Sequence, residues 1–251
     1  MRFCLFLAAC TAFFATTVSA QAAAHVALGD KEYAAMHASA ALAHYREAIK
    51  ADSSNYDALW KAARSAVDLA SFEMTGSRQT QLYADAELYA RRAVAANPGD
   101  AEGRFSLARA LGKRALTLGI RQRVKYATDI RDQAVACLKI SPKHAGCDHV
   151  MGMWNAEVMR LNGVSRMIAK NFLGGKAFGS ASWTDAQRYM EESIANEPSR
   201  IVHYVDAAGV YRDRGNKAKA KEMYEIALRL ENSDYNDRHY KAQAEAGLKK
   251  L

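Results

Sequence analysis

The sequence predicts an all-α chain built of repeated helix–turn–helix units, and three observations predict it. Beyond residue 25 the apolar residues recur three and four apart, and no stretch alternates with period two. Ala, Leu, Glu, Lys, Arg and Gln, all good helix formers, dominate. The only prolines, Pro98, Pro142 and Pro198, each follow one helical pattern and precede another. Proline cannot donate the helix hydrogen bond and restrains the residue before it, so each one ends a helix and re-aims the chain.

The N-terminal segment reads as an address. Arg2 is followed by an uncharged apolar run over residues 3–18 and then by Val18-Ser19-Ala20 before Gln21. This pattern describes a secretory signal peptide cleaved after Ala20. The run is too short and too rich in Ala and Thr for a membrane span. Leu7-Ala8-Ala9-Cys10 is the weaker alternative, an outer-membrane lipoprotein tethered through Cys10, because the apolar segment ahead of it is short. The expected organisation is therefore residues 1–20 as signal and residues 21–251 as one helical repeat domain, periplasmic or secreted, with no transmembrane helix in the mature chain. Cleavage removes Arg2 and lowers the formal net charge from +8 to +7. That balance favours anionic partners. It also removes Cys4 and Cys10. The remaining Cys137 and Cys147, an even pair in an oxidising compartment, are a disulfide candidate, the alternative being two buried thiols.

Along the chain, Ala41, Tyr45 and Ala48 mark the second helix of the first unit, and Trp60 with Ala63 opens the next. Residues 101–111 and 145–152 open two more. The last unit is the clearest: Tyr204, Ala208, Tyr211, Gly215, Ala220, Tyr224 and Ala227 follow Ile201. These spacings resemble the tetratricopeptide repeat of about 34 residues, with Gly215 at the turn and the alanines admitting a close helix approach. Pro98 to Pro142 is 44 residues and Pro142 to Pro198 is 56. The excess is expected at hairpin tips near residues 75–79, 118–124 and 162–182, where repeats tolerate insertion. A helix over residues 240–251 would cap the stack with a polar outer face. The expected fold is a tetratricopeptide-like α-α superhelix of about five helix pairs with lengthened hairpins and a C-terminal capping helix.

Residues 144–250 also resemble the C-terminal repeats of the regulator of microtubule dynamics proteins and their bacterial relatives. The likeness rests on Pro142-Lys143-His144-Ala145-Gly146, residues 153–161 with 168–174, residues 183–192, Gly215-Asn216-Lys217-Ala218, and Asp237, Tyr240, Lys241, Glu245 and Leu248. The resemblance implies a superhelix acting as a binding module without catalysis. Microtubule association of animal members does not transfer to an exported protein; phospholipid binding, suggested for a membrane-anchored branch, can. No ligand residue of the family matches a position in this sequence.

In such a stack the first helix of each pair lines the concave face. Aligning the units places Trp60, Phe105, His149 and Val205 at equivalent positions, then Arg64, Arg109, Met153 and Gly209, then Val67, Gly112, Ala156 and Arg212. The expected ligand groove is apolar and aromatic at its centre and edged with arginine: Trp60, Arg64, Phe105, Arg109, His149, Met153 and Arg212. It would suit an apolar body with an anionic end, because apolar walls bury the chain while Arg pairs with carboxylate or phosphate. A slip of one residue in this alignment would make the same positions plain core.

A run without acids from residue 104 to 125 contains Lys113, Arg114, Arg121, Arg123 and Lys125, readable as an anion patch or as a solvated helix face. Apolar residues at 164, 167, 168, 172 and 173 with basic neighbours suggest either a membrane-surface segment or a lid over its own repeat. The set Cys147, His149 and His144 is too sparse for a metal site. No nucleophile elbow, zinc-protease motif, phosphate loop or dinucleotide fingerprint occurs. The expected function is a non-enzymatic, cofactor-free adaptor for a protein or peptide partner, the alternative being an anionic-lipid carrier using the same groove. Nucleic acid is disfavoured because no recognition motif accompanies the charge.

Overall fold

A computed structural model describes residues 4–72, 75–161 and 176–251. Among these, helices pair in chain order: α1 (Cys4–Ala34) with α2 (Ala38–Ala51), α3 (Tyr56–Phe72) with α4 (Gly76–Ala96), and α5 (Ala101–Ala115) with α6 (Ile120–Ile140). α7 (Ala145–Arg160) pairs with α9 (Trp183–Asn196) across the short α8 (Lys176–Gly179), and α10 (Ile201–Asp213) pairs with α11 (Lys217–Arg229). α12 (Asp237–Leu248) packs on the last pair. The architecture is the expected helical-repeat superhelix with its capping helix.

One four-residue turn joins successive units. At Asn97, Ser141 and Glu197 the backbone N–H caps the ending helix by donating to Ala93, Cys137 and Ser193 at 2.9, 2.8 and 3.0 Å. A proline follows each capping residue, and the next helix starts three residues after that proline. The turn after α2 repeats this geometry with Ser53 in the proline's place, Asp52 donating to Ala48 at 2.8 Å. Proline is thus permitted by the turn and not required by it. Two of the new helices are capped by a side chain of this turn: Asp100 accepts from the N–H of Glu102 at 2.8 Å, and His144 Nδ1 from that of Cys147 at 3.2 Å. Between α10 and α11 Gly215 has φ +78°, a left-handed conformation that glycine adopts without a Cβ penalty.

The extra length of the middle units lies in their second helices. Both α4 and α6 have 21 residues, and the α5–α6 turn is only residues 116–119. The third anticipated insertion falls on residues 162–182, of which 162–175, with their apolar pattern, lie outside the described residues.

Small residues set how closely the helices pack. Ala41, Ala48, Ala62, Ala66, Ala86, Ala90 and Ala93 are fully buried in the N-terminal core, and Ala208, Ala220 and Ala227 in the C-terminal one. The buried Tyr45 ring lies so close to Gly29 that a Cβ there would sit 2.5 Å from it, so α1 meets α2 at that glycine. Cys137, late in α6, and Cys147, in the first turn of α7, are both buried with their sulfurs at bonding distance and their Cα atoms 6.4 Å apart.

The superhelix closes on itself. The segment leading into α12 crosses the concave side and reaches the first two units. Asn236 Nδ2 donates to the Asp68 carbonyl at 3.2 Å and to its carboxylate at 3.4 Å, 168 residues away in sequence. Arg200 pairs with Asp234 at 2.8 Å, and Tyr33 O–H lies 3.5 Å from the same carboxylate. Phe72 of α3 stacks on His239 with ring centroids 4.6 Å apart. These contacts tie the C-terminal segment to the first two units of the superhelix.

Candidate functional site

The concave side holds a cavity of about 960 Å³. Trp60, Arg64, Phe105, Arg109, His149 and Met153 all line it, so six positions chosen from unit alignment converge on one wall system. Arg212 does not line it; its guanidinium lies 3.2 Å from Asp213 on the neighbouring surface. The face α10 turns inward carries Val202, His203 and Asp206, whereas Val205 is buried in the C-terminal core. At the position of Val205 α10 therefore differs from α3, α5 and α7, whereas its Val202 and Asp206 hold the offsets at which Glu102 and Ser106 of α5 and Gly146 and Val150 of α7 also line the cavity. The reason is its different surroundings: α10 packs against α12 and the closing segment instead of against a further repeat.

One end of the cavity is apolar. The lengthened α6 contributes Val124, Ala127 and Ile130, which pack with Trp154, Val158 and Phe178. Trp154 Nε1 donates to the Ala127 carbonyl at 2.7 Å, so the indole's one polar atom is satisfied and its rings are left to the cavity wall. α6 and α8 were not among the groove elements inferred from unit alignment. Only the length of α6 signals that part of the wall.

The other end is cationic. Arg109 is not a free ligand contact. It donates to the fully buried Asp68 carboxylate at 2.6 Å, and Tyr33 O–H donates to that carboxylate at 2.9 Å. Burial opposes the guanidinium's charge, but Asp68 together with Tyr240, Tyr33 and Asp234 more than offsets it, so Arg109 stays protonated. Arg64 differs. Its guanidinium lies 3.5 Å from the centre of the Tyr33 ring and 5.0 Å from that of Trp60, it has no carboxylate partner among the described residues, and its buried Nε has no hydrogen bond. Lys113, one turn beyond Arg109, makes neither a hydrogen bond nor an ion pair among the described residues. Burial, and then the neighbouring Arg109, push its ammonium pKa down. Arg64 and Lys113, neither of which forms an ion pair among the described residues, are therefore both in the cavity wall.

The remaining members of the basic run are dispersed. Arg114 pairs with Glu87, and Arg123 caps the end of α5 by donating to the carbonyls of Leu118 and Leu116, each at 2.9 Å. Lys125 is exposed, and the Arg121 side chain lies outside the described ones. Consecutive helical residues point about 100° apart, so a linear run of charge does not make one patch.

A chain of four titratable groups spans the wall between α7 and α10. Asp206 meets His149 Nε2 at 3.1 Å, His149 Nδ1 meets His203 Nδ1 at 2.9 Å, and His203 Nε2 meets Glu197 at 3.3 Å. Three links need three protons, and two neutral imidazoles supply two. Which link goes without one depends on the tautomers, and the hydrogen bond with His203 holds the half-exposed Glu197 below the usual carboxylate range. Burial first, with His149 and Arg200 adding to it, pushes His203 down to about 4. Burial drives Asp206 the other way, but the His149 hydrogen bond and the charges of Lys113 and Arg160 hold its carboxyl below the usual range.

A testable consequence follows for acid stability. His203 binds its proton less well folded than unfolded, so its contribution is intact above pH 6.5 and is lost as the pH falls toward 4. A shift of that size corresponds to roughly 3 kcal/mol. Asp148, which burial pushes up to about 6, works in the opposite direction over part of this window. The relevant comparison is therefore between variant and parent. Denaturant unfolding at pH 7.0 and 4.5 should show His203→Gln losing about 2–3 kcal/mol less on acidification than the parent.

His144 brings its imidazole within 4.8 Å of both Cys137 and Cys147 sulfurs. With the sulfurs at bonding distance this is no thiolate ligand set; His144 serves as the α7 cap and meets Glu102 at 3.2 Å.

The family model described as "Regulator of microtubule dynamics protein 1-3" matches residues 22–251. The chain belongs to this family. Regulator of microtubule dynamics protein 1 of Bos taurus is 28% identical over 120 residues, covering 47% of this chain and 38% of that one, so the chain spans well under half of that relative. Among solved structures, a thermophilic TPR protein of Thermus thermophilus has a TM-score of 0.65 at 20% identity, covering 90% of this chain and 99% of that one. The pilF protein of Pseudomonas aeruginosa has a TM-score of 0.55 at 14% identity, covering 94% and 93%. These likenesses show a TPR-type helical repeat. Among the described residues, no helix is long and apolar enough to cross a membrane.

Proposed function

We propose that the protein is an exported, non-catalytic adaptor that holds an extended segment of a protein partner in its concave cavity. Apolar side chains of the segment would lie against Phe105, Met153 and Trp154, and a carboxylate would meet Arg64 and Lys113. The observation that carries this reading is the pairing, in one cavity, of an apolar aromatic end with Arg64 and Lys113, neither of which forms an ion pair among the described residues. Export is supported by the signal-like residues 1–20, by the family match beginning at residue 22, and by the approach of Cys137 to Cys147. A bond there would close a short loop and add about 2–3 kcal/mol on the loop-entropy account.

A second reading, an anionic lipid in the same cavity, has one observation in its favour. Tyr240 of α12 adds to the largely apolar wall, and an acyl chain gains more from such apolar surroundings than a peptide does.

The test is a titration of fluorescent peptides rich in Phe and Leu, with free or amidated C-termini, and in parallel of oleate. Arg64→Glu with Lys113→Glu should weaken capture of the carboxylate-bearing probe at least tenfold without changing helicity by circular dichroism. Preference for oleate over every peptide would favour the lipid reading. Equal binding of free and amidated peptides, or an unaffected double variant, would overturn the cationic site.

A further inference from the structure

At the opposite tip of the superhelix, on the α1–α2 hairpin, His25 and His44 face each other with Nδ1 atoms 3.4 Å apart and ring centroids 5.7 Å apart. Both rings are half-buried, and neither has a second hydrogen-bonding partner among the described residues. The separation is long for an N–H···N hydrogen bond, whose usual distance is about 3.0 Å. It is close to the spacing of two imidazole nitrogens on one zinc ion, about 3.3 Å at about 2.05 Å from the metal and a tetrahedral angle; the centroid separation shows the nitrogens meeting head-on, so each ring turns somewhat to share an ion. Glu47 is three residues beyond His44 on α2, hence on the same face. Its carboxylate is engaged by Lys50 at 2.6 Å, with the two side chains 48% and 71% exposed. An exposed ion pair of this kind holds a side chain weakly, so the carboxylate is available to a better partner.

We propose that His25, His44 and Glu47 form a binding site for a divalent transition-metal ion of the zinc–copper class. The two Nδ1 atoms are already at ligand spacing, and Glu47 swings in as the third ligand. Two imidazoles and a carboxylate are the donor set of open zinc sites, which leave a position for water. The same nitrogen and oxygen donors bind copper(II) more tightly than zinc. The site lies on the first hairpin, apart from the concave cavity, so it stands whether or not the adaptor reading holds. Bound metal would cross-link α1 to α2 at their solvent-facing side.

The experiment is calorimetric titration of the full chain, first stripped with chelator, with zinc chloride, alongside copper(II) paramagnetic resonance. One equivalent should bind, with nitrogen hyperfine structure from two imidazoles. His25→Gln, a conservative change near the end of the repeat stack, should lower the zinc affinity at least tenfold, and His44→Gln likewise. Glu47→Gln should lower it less, while retaining the two-nitrogen signature. His37→Gln, whose imidazole is instead held by Glu32 at 2.9 Å, should change nothing. Unaltered thermal unfolding of the metal-free His25→Gln protein separates ligand loss from misfolding. Absence of zinc binding, or full binding retained by both His25→Gln and His44→Gln, would overturn the site.

Discussion

Arg109→Met should destabilise the protein by about 3–5 kcal/mol, because it strands the Asp68 carboxylate in the core. Asp68 is fully buried and is neutralised by Arg109 alone; Tyr33 and Asn236 add hydrogen bonds but no charge. At 2–4 °C per kcal/mol for a chain of this size, the melting temperature should fall by roughly 6–20 °C. Adding Asp68→Asn removes the uncompensated charge and leaves a side chain that still accepts from Tyr33. The double variant should therefore recover at least half of the loss. A double-mutant cycle by denaturant unfolding measures this directly, and additive losses would mean that the pair is not coupled. The same geometry governs how the cavity should be probed. Arg109→Glu would set two carboxylates against each other in the core, so lost binding in that variant would report unfolding. Arg64 and Lys113 carry no such structural duty.

Much of this fold can be read from local signals. Proline-marked turns, alanines four and seven apart, and Gly215 at a left-handed turn are each decided by a few neighbouring residues, so they survive in the sequence. Trp60, Phe105 and His149 lie four residues into α3, α5 and α7, and equal offsets in equally packed helices give one shared wall. Val205 has the same offset in α10 yet is buried in the core, where α10 packs against α12 and not against a further repeat. A contact such as Asn236 to Asp68 links residues 168 apart and leaves no periodic trace. Charge misleads for a related reason. Arg109, Lys113 and Arg114 look alike in sequence, but the first is held by Asp68, the third by Glu87, and only Lys113 faces the cavity without an ion pair. What a cation does is set by the helix across from it.

If the partner sits in the concave cavity, Gly112 is the position at which filling that cavity blocks it most directly. It lines the cavity from the interior of α5, and a Cβ placed there meets nothing within 4 Å. A side chain at this position enters empty space without disturbing the core, and replacing a mid-helix glycine also removes a backbone-entropy cost of up to about 1 kcal/mol. Gly112→Ala should fold and bind as the parent does. Gly112→Trp should fold with an equal or higher melting temperature while its indole takes up the ligand's volume. Binding of the Phe- and Leu-rich carboxylate peptide, or of oleate if that is the preferred probe, should weaken about 100-fold, close to 2.7 kcal/mol. The decisive measurement is that affinity on a Gly112→Trp protein with parental helicity. A loss of this size is the predicted result; parental affinity would contradict the account.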